Sequence, residues 1–116
     1  MPVHVEGPCK LTDGGNCATS PNFPGNYGNM EFCTITNVPN TPLEVIAFDV
    51  EGPSGANCIW DYLVVNGVRY CGTSGPAGVV PSDGTMTWVS DYSVTESGWK
   101  ARAPFSASVA PCTLPS

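Results

Sequence analysis

The sequence predicts an all-β protein: a two-sheet, largely antiparallel β-sandwich held by disulfides. Three observations lead there. No window of a dozen residues places apolar side chains at i, i+3, i+4 and i+7, the signature of an amphipathic helix. Short apolar or alternating runs are instead separated at close intervals by Gly, Pro, Asn and Asp, with 13 Gly and 12 Pro in 116 residues. Finally, the 6 cysteines stand 8, 16, 25, 13 and 41 residues apart, which excludes a CxxC zinc or redox pair and reads as three disulfides in an oxidising compartment. A chain of this length is one domain that buries roughly two-thirds of its unfolded surface, so the bridges assist a core and do not replace it.

Each strand has its own reason. Residues 31–38 and 43–50 are apolar-rich runs joined by Pro39, Asn40, Thr41 and Pro42. The plainest hairpin is Tyr62, Leu63, Val64 and Val65, then Asn66 and Gly67, then Val68, Arg69 and Tyr70. Asn-Gly supplies the two positive-φ positions that a type I′ turn requires. After the turn at Ser82, Asp83 and Gly84, Met86 and Trp88 alternate with threonines over 85–89, as on a half-buried strand. Residues 98–103 alternate Trp99, Ala101 and Ala103 with Lys100 and Arg102. Eight to ten such strands make a sandwich. Residues 20–28 are an ordered loop, because Pro21 and Pro24 each remove an amide donor. Residues 1–8, with the sole histidine, His4, read as an N-terminal tail, and residues 104–116 as an extension tethered by Cys112.

Charge excludes several functions. Four Lys and Arg against ten Asp and Glu give a formal net charge of −6, which disfavours nucleic acid, heparin-like glycans and anionic membranes. No apolar run approaches the ~18 residues of a bilayer span, so no membrane insertion is expected. Residues 1–8 lack the basic and hydrophobic regions of a secretory signal, which is expected to have been removed ahead of them. Catalysis has little to stand on. His4 would have to act from the tail. Asp49 and Glu51 are ordinary alternating strand residues, and residues 13–16 lack the Lys-Ser/Thr of a phosphate loop.

Seven segments in register carry a family resemblance: Ser20, Pro21, Asn22, Phe23, Pro24 and Tyr27; Cys33; Phe48, Asp49, Val50 and Glu51; Cys58, Ile59, Trp60 and Asp61; Tyr70, Cys71 and Gly72; Ser90, Asp91, Tyr92 and Ser93; Gly98 and Trp99. From about Cys9 to Ala103 the sequence resembles the CUB domain family, calcium-binding type. The resemblance implies an extracellular sandwich used as a non-catalytic recognition module within a larger secreted or cell-surface protein. It implies a Cys58–Cys71 bridge. Two arrangements stay open for the rest: Cys9 with Cys33 and Cys17 with Cys112, or Cys17 with Cys33 and Cys9 with Cys112. The first is favoured, since Cys9 lies about as far before Ser20 as the family cysteine does.

The same resemblance implies a Ca²⁺ site. Glu51, Asp61 and Asp91 stand at strand ends and match the family's acidic ligands, with a backbone carbonyl from Ser93 and an orienting hydroxyl from Tyr27. Oxygen-only donors suit a hard cation. Three gathered carboxylates repel without one, and with Ca²⁺ they sum to −1, a residual charge that a Lys or Arg of a partner protein can meet. The loop 52–57 is longer than is usual in calcium-binding members, and Val94 stands where they often carry an oxygen-bearing side chain. Both place the affinity near the millimolar end of extracellular modules. Two other functions fit the composition: a metal-free structural or extracellular-matrix module, and a glycan-binding, lectin-like module. Phe23, Phe48, Trp60, Trp88, Trp99, Tyr70 and Tyr92 read as packing residues instead of a sugar platform.

Overall fold

A computed structural model of the chain describes residues 3–104 and Cys112. Nine strands are present among the described residues: β1 His4–Glu6, β2 Lys10–Thr12, β3 Cys17–Thr19, β4 Phe32–Thr36, β5 Glu44–Asp49, β6 Tyr62–Val65, β7 Val68–Tyr70, β8 Met86–Val89 and β9 Gly98–Arg102. They form a five-stranded sheet in the order β1-β4-β8-β6-β7 and a four-stranded sheet in the order β2-β3-β9-β5. Every pairing is antiparallel. No helix is long and apolar enough to cross a membrane.

Period-two alternation fixes which side chains enter the core. In the five-stranded sheet, Ile35, Leu63, Val65, Met86 and Trp88 point inward and are buried. The four-stranded sheet contributes Ala18, Trp99 and Ala101. Trp88 and Trp99 meet across the interface edge to face, with centroids 6.2 Å apart, and Tyr27 stands edge-on to Trp88 at 4.8 Å. The β6–β7 hairpin turns on Asn66 (φ 54°) and Gly67 (φ 75°), the two left-handed positions of its turn.

Three details differ from the sequence reading. Residues 4–6 are not a tail: His4 pairs with Thr36 and Glu6 with Thr34 at the edge of the sheet. The cause lies just downstream, where Cys9 is bonded to Cys33 on β4 and so holds the preceding residues alongside that strand. Lys100, read as polar-face, is 4 % exposed because the turn at 13–15 folds over it, with Asp13 Oδ2 3.4 Å from Nζ. Tyr92 is 75 % exposed and so is not a packing residue, whereas Trp60, 39 % exposed, stands at the rim and Trp88 and Trp99 are fully buried.

The disulfides are Cys9–Cys33, Cys17–Cys112 and Cys58–Cys71, the first of the two open arrangements. Cys112 therefore joins the start of β3. The rest of the extension at 105–111 and 113–116 lies outside the described residues.

Candidate metal centre

The strand ends bring three carboxylates together. Asp61 immediately precedes β6, Asp91 follows β8 by two residues, and the register Tyr62↔Val89 sets these neighbouring strands so that the two acids share one end of the sheet. Glu51 comes from the other sheet, two residues beyond β5. One oxygen from each of Glu51, Asp61 and Asp91 lies within 4.8 Å of the others.

The loop 20–31 crosses between the sheets and supplies the brace. Tyr27, 1 % exposed and packed on Trp88, donates its hydroxyl proton to Asp61 Oδ2 at 2.7 Å and accepts the Glu51 amide at 3.1 Å. The other Asp61 oxygen, Oδ1, accepts the Asp91 amide at 2.8 Å. Asp61 is 1 % exposed, yet both of its oxygens are engaged. Asp91 Oδ1 accepts the Ser93 amide at 3.3 Å, and the Asp91 carbonyl accepts the Met30 amide at 2.8 Å. Of the five residues read from the sequence, Glu51, Asp61 and Asp91 come together and Tyr27 orients Asp61, while Ser93 meets Asp91 through its amide.

Electrostatics makes the gathering unfavourable as it stands. Burial, followed by the charges of Asp61 and Asp91, pushes the Glu51 carboxyl up to about 7. Burial also raises Asp61, against the lowering effect of the Asp91 amide and the Tyr27 hydroxyl. The Tyr27 phenol is raised as well, by burial and by its bond to Asp61, so it stays a proton donor. Glu51 Oε1 is buried without a hydrogen-bond partner among the described residues. A buried carboxylate oxygen in that state is destabilising, and a cation among three carboxylates removes the cause. The donor set is all oxygen, which fits Ca²⁺ and does not fit a soft metal. The second acidic group, Asp13 with Cys17 and Cys112, offers no thiolates, since both cysteines are in a disulfide.

Glu31 was not singled out from the sequence, and Ser90 only as part of a family motif. Glu31 Oε2 accepts the Gly28 amide at 2.8 Å, while its Oε1 accepts the Trp88 indole N–H at 3.2 Å. Ser90 Oγ donates to the Gly28 carbonyl at 2.8 Å and accepts the Glu31 amide at 2.9 Å. Together they clamp the loop carrying Tyr27 onto β8. The signal was Trp88 itself, because a buried indole needs an acceptor, but sequence does not say which.

No family model matches the chain. Individual relatives do. Over 96 residues, 72 % of the chain, it is 31 % identical to the cubilin homolog of Caenorhabditis elegans. It is 33 % identical over 113 residues, 84 % of the chain, to blastula protease 10 of Paracentrotus lividus, and 31 % identical over 99 residues to cubilin of Sus scrofa. These proteins share with the chain the type of domain its seven motifs describe. The chain belongs to the CUB domain family. This CUB domain spans 2 %, 19 % and 3 % of the length of those three relatives.

Proposed function

We propose that this CUB domain is an extracellular, non-catalytic protein-recognition module that binds one Ca²⁺ and engages a Lys or Arg side chain of a partner protein. The single observation that carries the reading is the buried, unpartnered Glu51 Oε1 beside Asp61 and Asp91. Glu51, Asp61 and Asp91 hold the ion, with the Ser93 carbonyl, and Tyr27 fixes the Asp61 carboxylate. The ion supplies the charge that lets all three acids stay ionised together. The residual −1 of the cluster, near the surface through Glu51 and Asp91, attracts an ammonium or guanidinium group by charge-assisted hydrogen bonding. Its placement in a larger secreted or cell-surface protein rests on the low share of each relative that the chain spans and on three disulfides.

The test is calorimetric titration of calcium-stripped protein with Ca²⁺, beside the Asp91→Ala variant. Saturable one-site binding that the variant loses is the expected result. No heat up to millimolar calcium overturns the metal site and leaves a metal-free structural module.

A further inference from the structure

The cluster of acids has an apolar neighbour. Of the nine large apolar side chains exposed among the described residues, six belong to the segments that carry or adjoin the acids: Met30, Phe32, Ile59, Trp60, Tyr92 and Val94. Ile59 and Trp60 directly precede Asp61, while Tyr92 and Val94 follow Asp91 closely. The Met30 amide is bonded to the Asp91 carbonyl. Phe32, 60 % exposed, is the register partner of Val89, which in turn pairs with Tyr62. Phe32, Val89 and Tyr62 thus form one row across the outer face of the five-stranded sheet, open at Phe32 and Val89 and bounded at Tyr62 by the Arg69 guanidinium, 4.1 Å over its ring.

Strand propensity alone does not account for that row. One step further along the same face, the row is Thr34, Thr87 and Val64, ending at Arg69. The face is therefore ordinary solvent-facing sheet everywhere except beside the carboxylates, and clustered apolar exposure of this kind marks an interaction surface. Three strands at about 4.8 Å spacing make a row about 10 Å wide, the footprint of one bulky side chain.

We infer that the row of Phe32, Val89 and Tyr62 is the second half of the docking surface, and that its occupant is an extended segment of a partner protein with a bulky apolar residue two positions from the Lys or Arg. This rests on the proposed function, because the basic residue is what the acids select. In an extended segment, residues i and i+2 face the same way about 7 Å apart, which carries the apolar side chain from the acids onto the row. Charge complementarity argues against a second copy as occupant. A two-fold contact through this face would bring two acidic clusters together on chains that each carry −6.

The experiment is an NMR titration of the isotope-labelled chain, in calcium, with three short glycine-flanked peptides: Lys-Gly-Phe, Lys-Gly-Ser and acetyl-lysine-Gly-Phe. Lys-Gly-Phe is expected to bind about five- to tenfold tighter than Lys-Gly-Ser, given the apolar area of a half-buried phenyl ring. Phe32→Thr should remove that advantage and leave Lys-Gly-Ser binding and the calcium titration unchanged. Met30→Ser, at another exposed position, should weaken Lys-Gly-Phe alone. Equal affinity of the first two peptides, with the acetylated one weak, overturns the inference and leaves the proposed function standing. If acetylation changes nothing, the ionic reading fails and the coupling of the two halves fails with it. No perturbation by any peptide at millimolar concentration also overturns the inference. A concentration-dependent dimer in sedimentation, lost in Phe32→Thr, would overturn it in favour of a second copy.

Discussion

A single hydroxyl holds the two sheets' acids in register. Tyr27 Oη is bonded to Asp61 from the five-stranded side and to the Glu51 amide from the other. Tyr27→Phe leaves a buried carboxylate oxygen and an amide unpaired, so a loss of about 1–3 kcal/mol is expected in urea unfolding. A loss near zero would show that the hydroxyl is not the brace. The acids it holds set the pH response. Glu51 ordinarily titrates near 4.5, and here near 7, with Asp61 moved in the same direction. Between those values the folded chain binds more protons than the unfolded one, so stability falls as pH rises through the window. In calcium-free buffer the melting temperature is therefore expected to drop between pH 5 and pH 8. Added calcium, bound by ionised acids, should raise it more at pH 8 than at pH 5. A calcium-free melting temperature that climbs over that interval would rule out the raised carboxyls. Val94 adds strain nearby, since a β-branched residue holds φ 63° with its side chain 54 % exposed. Val94→Asn, whose side chain tolerates that region and brings an oxygen, should stabilise by about 1 kcal/mol. Unfolding of the variant at unchanged urea concentration would argue against strain there.

At the scale of elements, β9 governs how the loop 20–31 meets the sandwich. Gly98 opens the strand at φ 91°, and a Cβ there would run into the Ser20 side chain, whose Oγ accepts the Trp99 amide at 2.9 Å. Gly98→Ala is expected to destabilise by at least about 2 kcal/mol through backbone strain and loss of that bond. Chemical denaturation measures it, and a neutral substitution would mean that the loop moves aside freely. The same elements show what a sequence exposes. The β6–β7 hairpin was legible because Asn66 and Gly67 are chemistry that a type I′ turn demands, and β8 because Met86 and Trp88 alternate with threonines. The three-residue β1 was not legible, as one valine between His4 and Glu6 carries no period. It exists because a disulfide places it beside β4. Likewise Glu51, Asp61 and Asp91 stood out as acids at strand ends, whereas the Glu31 and Ser90 clamp depends on contacts across about sixty residues that no local pattern encodes. The exposure of Tyr92 was hidden for a related reason: a tyrosine in a loop looks the same from either side of the surface.

Over the whole molecule, the acidic cluster and the terminal Cys17–Cys112 bridge lie toward opposite ends of β9. Two of the four cations are held in contacts away from the acids, Lys100 with Asp13 and Arg102 with Glu44, while Arg69 stacks over the Tyr62 ring. The acidic cluster lies near the start of β9, at Gly98, where Asp49 of β5 pairs. Cys17, at the start of β3, lies near the far end of the same strand, since Ala18 pairs with Ala101. Its bridge to Cys112 closes a separation of 95 residues, against 13 for Cys58–Cys71. Chain entropy assigns the longer closure about 4.7 kcal/mol and the shorter about 2.9. Removing the long bridge by Cys17→Ser with Cys112→Ser should therefore lower stability strongly, by about 3–5 kcal/mol. Distance decides the rest of the expectation. Sites separated by several residues of strand, with no shared partner, contribute additively. The doubly substituted chain, while folded, should bind calcium with unchanged affinity and gain the same unfolding free energy from it as the parent. Paired urea titrations with and without calcium measure both terms. An increment from calcium that shrinks once the bridge is gone would show that the terminal bridge and the acidic loops form one cooperative unit, carried through β9.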